Sequence, residues 1–235
     1  MDLIAGWNIV DWICAGVLAL SVLYGLYRGF INGVLSLAAL VGAIAGSFFF
    51  YPKLAEVLSA NETLVATLMY YTDAASRIGR LDLTLMTVSE TTGSALAAML
   101  ENAKLPEAFR RAFLANFENA AGGQRVSDVL SRTIVNASIS ILSFLICFFV
   151  CYLVALFLIH LISYVFELPV LRHLDSLVGG AFGFIRGWLL LMVLFILVPI
   201  VLAVAPVDAI TNLLETSKLA PYFDSRLILT VLGVG

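Results

Sequence analysis

The 235-residue sequence is 62% hydrophobic and only 12% charged, whereas soluble domains carry about 25% charged residues. This small number of charges cannot cover a water-facing surface of this size. The composition therefore excludes a soluble globular protein and indicates that lipid surrounds much of the chain. The net charge of −3 is small and argues against a nucleic-acid partner.

The first 51 residues predict a transmembrane hairpin. A helix needs about 20 apolar residues to cross a bilayer core about 30 Å thick, and residues 9–27 and 30–51 both qualify. Only Arg28 and Gly29 separate the two stretches, so the sequence predicts antiparallel helices with a very short turn. The start of the chain lacks the basic stretch of a secretory signal, and the first stretch is expected to remain as a membrane span.

Residues 52–133 differ from the spans because charged side chains are mixed with short apolar stretches. A helix is predicted over residues 52–71, and Leu105-Pro106-Glu107 is typical of a second helix start. Three phenylalanines then follow at a spacing of four and form one aromatic stripe: Phe109, Phe113 and Phe117. We expect an amphipathic helical insertion that lies on the membrane surface, or whose helices pack only on each other.

A second transmembrane hairpin is predicted over residues 134–205. Its apolar stretches, 134–166 and 177–205, each exceed the bilayer core at about 1.5 Å per residue, so part of each helix is expected to tilt or project. Residues 206–235 form a C-terminal tail with weak amphipathic character. The predicted fold is all-α, a polytopic membrane protein with four transmembrane helices and the amphipathic insertion between the second and third.

Glycines recur at helical spacing within the predicted spans. Glycine lets helix backbones approach closely and gain van der Waals contact, so these positions are expected at helix-packing faces. A glycine-lined pathway is the alternative, although few polar groups accompany the glycines. The expected packing positions are Gly25, Gly29, Gly42, Gly46, Gly179, Gly183 and Gly187.

The pattern Gly-x-x-Arg-Gly-aromatic occurs at residues 25–30 and again at residues 183–188. Arginine at the centre of a membrane helix costs about 2.5–3.5 kcal/mol on insertion scales, so Arg28 and Arg186 in the same local frame indicate a shared role. One interpretation is an interfacial anchor, and the other is a headgroup, peptide or ion site formed by both arginines. The positive-inside tendency favours an outside N-terminus, with both arginines at the cytoplasmic level.

Asp11 is a carboxylate inside the first apolar stretch, where an acid is a functional candidate by default. Its place beside Trp12 equally fits the membrane interface. No catalytic motif is found, so no catalytic residues are predicted. Two histidines and three cysteines in apolar surroundings predict neither a metal site nor a disulfide framework.

Two blocks of the sequence resemble the colicin V production protein (CvpA) family of bacterial inner-membrane proteins. The first block runs from Asn8-Ile9-Val10-Asp11-Trp12-Ile13 through Gly25-Leu26-Tyr27-Arg28-Gly29-Phe30 to Leu35-Ser36-Leu37, and the second from Leu174-Asp175-Ser176 through Gly183 to Arg186-Gly187. The resemblance implies a multi-pass protein of the bacterial plasma (inner) membrane, associated with colicin V production or export and with cell-envelope physiology. It supplies no reaction. Four motif positions are candidates for lipid or ion contact: Asp11, Arg28, Asp175 and Arg186.

The sequence therefore predicts a non-enzymatic membrane protein that supports colicin V-type toxin production or secretion, or maintenance of the cell envelope. One alternative is a small oligomeric transporter or channel, and another is a membrane scaffold that recruits a partner through residues 52–133. The expected partners are membrane lipid, further copies of the chain, and other envelope or secretion proteins. No cofactor and no nucleic acid are expected.

Overall fold

The computed structural model describes residues 6–72, 85–103, 105–165, 174–204, 208–223 and 225–232. Regular structure in these ranges is helical, apart from an isolated antiparallel bridge between Thr87 and Arg125, and the predicted all-α class is confirmed for them. The α-helices are α1 Ile9–Ser59, α2 Glu62–Thr72, α3 Gly93–Ala103, α4 Glu107–Glu118, α5 Val126–Val165, α6 Leu174–Phe195, α7 Val198–Val204, α8 Asp208–Glu215 and α9 Arg226–Val231. Short 3-10 helices lie at Val88–Glu90 and Ala220–Phe223.

Three stretches of the described chain are long and apolar enough to cross a membrane: Ile9–Ser59, Val126–Leu161 and Ser176–Ala203. The first contains 51 residues, and a straight helix of that length would extend roughly 75 Å. A bilayer core of about 30 Å cannot hold it as one straight span. The predicted membrane-helical architecture agrees with these three stretches, whereas the count of four spans stays a prediction.

Gly29 interrupts α1 between the two apolar stretches of the first predicted hairpin. Its φ of 78° and ψ of −178° define a backbone conformation that is essentially restricted to glycine, because a side chain would clash. The side-chain amide of Asn32 donates to the Arg28 carbonyl at 3.1 Å, which satisfies an acceptor beside the break. The break lies where the sequence predicted the turn, and the hairpin itself stays a prediction.

The chain divides into two compact units. The first unit contains Met1–Tyr51, Phe144–Phe195 and Asp208–Ser225, and the second contains Pro52–Ser143, Ile196–Val207 and Arg226–Gly235. In the first unit, the rings of Phe48 and Tyr51 pack on Phe144, with centroids 5.0 and 6.4 Å away. Another cluster of the first unit is built on three buried residues: Cys14, Leu191 and Phe223. The first unit therefore takes residues from both predicted hairpins and from the predicted tail.

In the second unit, α4 begins directly after Pro106, as the sequence predicted. Phe109 and Phe113 are 0% and 2% exposed, and the half-buried ring of Phe117 lies 5.7 Å from that of Phe113. The predicted aromatic stripe is therefore confirmed as the buried side of an amphipathic helix. The same arrangement leaves the charged residues of α4 on its exposed side.

The bounds of one predicted helix are wrong, and one predicted apolar stretch contains a break that was not predicted. The helix predicted over residues 52–71 is two elements, because α1 continues to Ser59 and Asn61 caps a new helix by accepting from the Leu64 amide at 3.1 Å. The last apolar stretch is also interrupted, since α6 ends at Phe195 and α7 starts at Val198. Pro199 explains that break, because it has no amide hydrogen and its ring clashes with the carbonyl four residues earlier.

Candidate functional site

Within the first unit, α6 packs closely and in the opposite direction along the first part of α1. A Cβ atom added at Gly25 would lie 3.0 Å from Gly183 Cα, and one added at Gly179 would lie 2.9 Å from Gly29 Cα. Each added atom would also press against a backbone carbonyl oxygen of the facing helix. The two backbones therefore leave no room for a methyl group, which is the geometry of small-residue helix packing.

The other expected packing glycines have different surroundings. A Cβ added at Gly187 would lie 2.8 Å from Ser21 Cβ, and one added at Gly46 would lie 3.2 Å from the sulfur of Cys151. Among the described residues, nothing lies within 4 Å of a Cβ added at Gly42. The geometry thus supports a packing role for glycines that face α6 or α5, and gives none to Gly42 among the described residues.

The contact between α1 and α6 brings the two motif arginines to one aromatic ring. Arg28 Cζ lies 5.5 Å from the centroid of the Tyr24 ring, and Arg186 Cζ lies 4.6 Å from the same centroid. A guanidinium within about 6 Å of a ring centroid is attracted by the negative face of the ring. Arg28 reaches the ring along its own helix, whereas Arg186 reaches it from α6. The arginines of both copies of the repeated motif therefore contact one tyrosine ring.

Polar groups from two further positions interact with Arg186. Its Nε donates to the Ser21 hydroxyl across 3.4 Å, a long hydrogen bond. Tyr152 on α5 is close enough to interact electrostatically with both Arg186 and Tyr24. Among the side chains that the structure describes, no carboxylate forms an ion pair with Arg28 or Arg186. The site therefore presents two positive groups with hydroxyl neighbours and no described counter-charge.

Asp11 lies in a different part of the first unit and is fully buried. Its Oδ1 accepts hydrogen bonds from the Ser217 hydroxyl at 2.7 Å and the Leu219 amide at 2.8 Å, while Oδ2 accepts from the Asn8 amide at 3.0 Å. Charge-assisted bonds of this kind are stronger than neutral ones. Asp11 therefore connects the segment after α8 to the start of α1, which is a structural role. Contact of Asp11 with lipid or an ion stays a prediction.

Asn8 strengthens the same connection. Its Oδ1 accepts from the amides of Val10 and Asp11 at 2.9 and 3.1 Å, which caps the N-terminus of α1. Its side-chain amide donates to the Thr216 hydroxyl at 3.2 Å and to the Leu213 carbonyl. The start of α1 is thus held by the C-terminal part of the chain through a network of polar contacts.

The sequence named Arg28 and Arg186 but missed Tyr24, Ser21 and Tyr152 as their neighbours. The spacing of four between Tyr24 and Arg28 is a usable signal, because residues four apart lie on one helix face. No such signal exists for Ser21 or Tyr152, whose proximity to Arg186 depends on helix packing. The prediction at Asp175 concerns a side chain outside the described part of the structure.

Comparisons with known proteins agree with the resemblance noted in the sequence. The family model described as Colicin V production protein matches residues 10–123 and residues 112–227, and each match contains one copy of the repeated motif. A Haemophilus influenzae protein described as "Colicin V production protein homolog" is 40% identical over 55 residues, which is 23% of this chain and 34% of that relative. The match thus spans about a third of that relative's length. No solved structure matches the chain.

Proposed function

The chain belongs to the colicin V production protein family, and we propose that it is a non-enzymatic, multi-pass protein of the bacterial inner membrane. In this proposal it supports production or secretion of a colicin V-type toxin, or maintenance of the cell envelope. The family match is the observation that carries the proposal. The three apolar stretches long enough to cross a membrane support the location.

The test is deletion of the gene in its bacterial host, after introduction of genes for a colicin V-type toxin. We expect less toxin in the culture fluid, or entry of a membrane-impermeant dye where the envelope role dominates, with recovery when the wild-type gene is restored. A Gly42→Ala gene is the matched control, because the added methyl group meets no described atom within 4 Å. Unchanged toxin export together with an intact envelope would contradict the proposal.

A small oligomeric transporter or channel is a second candidate, favoured by Arg28 and Arg186. Ionisable residues within membrane helices commonly mark substrate or ion pathways, and these two have no described acidic partner. Purified protein in sealed liposomes would then carry an anion across the bilayer. Replacement of Arg186 by glutamine should abolish that flux if the pathway uses this group, whereas a tight bilayer with wild-type protein would exclude this candidate.

A further inference from the structure

Two positively charged side chains of the first unit lie against one aromatic ring. Arg28 and Arg186 come from different helices and both lie over the ring of Tyr24. Both positive groups lie within about 6 Å of one ring centroid, and like charges repel each other most strongly where the surroundings have a low dielectric constant. The ring offsets part of this repulsion through its negative face, but it carries no net charge. An anion between the two guanidinium groups would remove the repulsion.

The two guanidinium groups are near enough to share an oxyanion after small side-chain movements. With centroid distances of 5.5 and 4.6 Å, the two Cζ atoms are at most about 10 Å apart, and these long, flexible side chains can turn toward one phosphate that accepts N–H···O bonds of about 2.7–2.9 Å from both. The planar guanidinium group donates in a fork that matches phosphate oxygens. We propose that Arg28 and Arg186 together bind a phosphate group, supplied by an anionic phospholipid headgroup or by free phosphate.

Neighbouring hydroxyl groups add donors of the right kind. Ser21 is only 6% exposed, and its oxygen accepts from Arg186 Nε, a contact that does not use the hydroxyl hydrogen. Tyr24 supplies a phenol hydroxyl on the ring that both arginines share. Tyr152 on α5 is within electrostatic range of Arg186. Oxyanions are commonly held by such a mixture of charged and neutral donors.

The exposure of the site favours the lipid as the source of phosphate. Tyr24 is 44% exposed and Arg28 is exposed, whereas Arg186 is half-buried. Leu23 and Tyr27, which flank Tyr24 and Arg28 in sequence, are 60% and 88% exposed. A phospholipid presents its phosphate beside acyl chains, and this surface presents cations beside apolar side chains. The site is independent of any role in toxin production, because it rests on this local chemistry alone.

The experiment uses full-length protein purified in detergent and stripped of lipid. Phosphatidylglycerol and phosphatidylcholine are added back separately, and retained lipid is counted by native mass spectrometry. In a second arm, inorganic phosphate is titrated while thermal unfolding is recorded. The variants are Arg28→Gln, Arg186→Gln and the double substitution. Arg110→Gln is the matched control, since Arg110 is an exposed arginine of α4 beside Glu107.

If lipid is the source, wild type and Arg110→Gln retain phosphatidylglycerol in preference to phosphatidylcholine. Each substitution at the site weakens that binding by about tenfold or more, as expected for loss of a charge-assisted contact. If free phosphate is the source, inorganic phosphate stabilises wild type saturably, and the double substitution abolishes the effect. Equal responses of wild type and a folded Arg28→Gln protein in both arms would overturn the proposal, even if Arg186→Gln fails to fold.

Discussion

The close contact between α1 and α6 makes Gly183 an informative position for mutation. A Cβ added there would press against the Ser21 carbonyl oxygen and lie 3.2 Å from Gly25 Cα. Both neighbours are backbone atoms, so they cannot turn aside as a flexible side chain can. Alanine at position 183 therefore requires α6 to move away from α1. Overpacking of this kind typically costs about 1–3 kcal/mol, and leucine should cost more than alanine.

The steric cost can be separated from helix propensity with a matched substitution. Alanine in place of glycine favours a helix by about 0.5–1 kcal/mol, and this gain applies at any helical position. Gly42→Ala adds the same methyl group to α1 where the described chain leaves open space. We expect Gly42→Ala to be as stable as wild type or more so. The difference between the two alanine variants should then be about 1–3 kcal/mol, the steric cost alone.

The free energy of unfolding is measured in mixed micelles by titration with a denaturing detergent, with circular dichroism as the signal. The order of stability should be Gly42→Ala, wild type, Gly183→Ala and Gly183→Leu. Equal stability of the two alanine variants would refute the proposed packing role of Gly183, and so would a Gly183→Leu protein that unfolds with wild type. A structure with an unchanged helix distance in Gly183→Ala would refute the steric reasoning directly.

Three further predictions concern other parts of the chain. Asp11→Ala leaves the buried hydroxyl of Ser217 and the half-buried amide of Leu219 without their acceptor, which should cost about 1–3 kcal/mol for the hydroxyl and less for the amide. Proteolysis should then release the C-terminal segment sooner, and an unchanged cleavage rate would contradict this. Phe113→Ala should destabilise the second unit by about 3–5 kcal/mol, because the ring is buried. Thermal unfolding measures this change, and a midpoint equal to that of wild type would disprove it. The cysteine of Arg28→Cys should not be labelled by an impermeant thiol reagent on intact cells, because position 28 is predicted on the cytoplasmic side. Labelling from outside would reverse the predicted membrane orientation.

Local sequence signals predicted much of the helical structure. Proline followed by an acid placed the start of α4, and spacing of four placed Phe109 and Phe113 on its buried side. The short separation between two apolar stretches placed the break at Gly29. Each signal depends on residues close in sequence, which interact through the geometry of one helix. Such features can be read without knowing which helices pack together.

Contacts between residues far apart in the chain could not be predicted from such local signals. Asp11 and Ser217 are 206 residues apart, and no sequence pattern around either residue indicates that the two are in contact. Helix ends were also misplaced, because backbone hydrogen bonding does not stop where the apolar composition stops. α1 therefore continues through Pro52 to Ser59, although the apolar run that predicted the span ends at Tyr51. Composition locates lipid-facing sequence, whereas helix length depends on hydrogen bonds and caps.

The repeated motif and the paired arginines have one geometric explanation. The first glycines of the two copies face each other, since a Cβ added at Gly25 would lie 3.0 Å from Gly183 Cα. The helices run in opposite directions, and each arginine follows its glycine by three residues, so Arg28 and Arg186 start on opposite sides of that contact. Helical side chains lean toward the N-terminus of their own helix. The two arginines therefore lean toward each other and meet at Tyr24, so the glycine of each copy sets the helix distance at which both arginines reach the same ring.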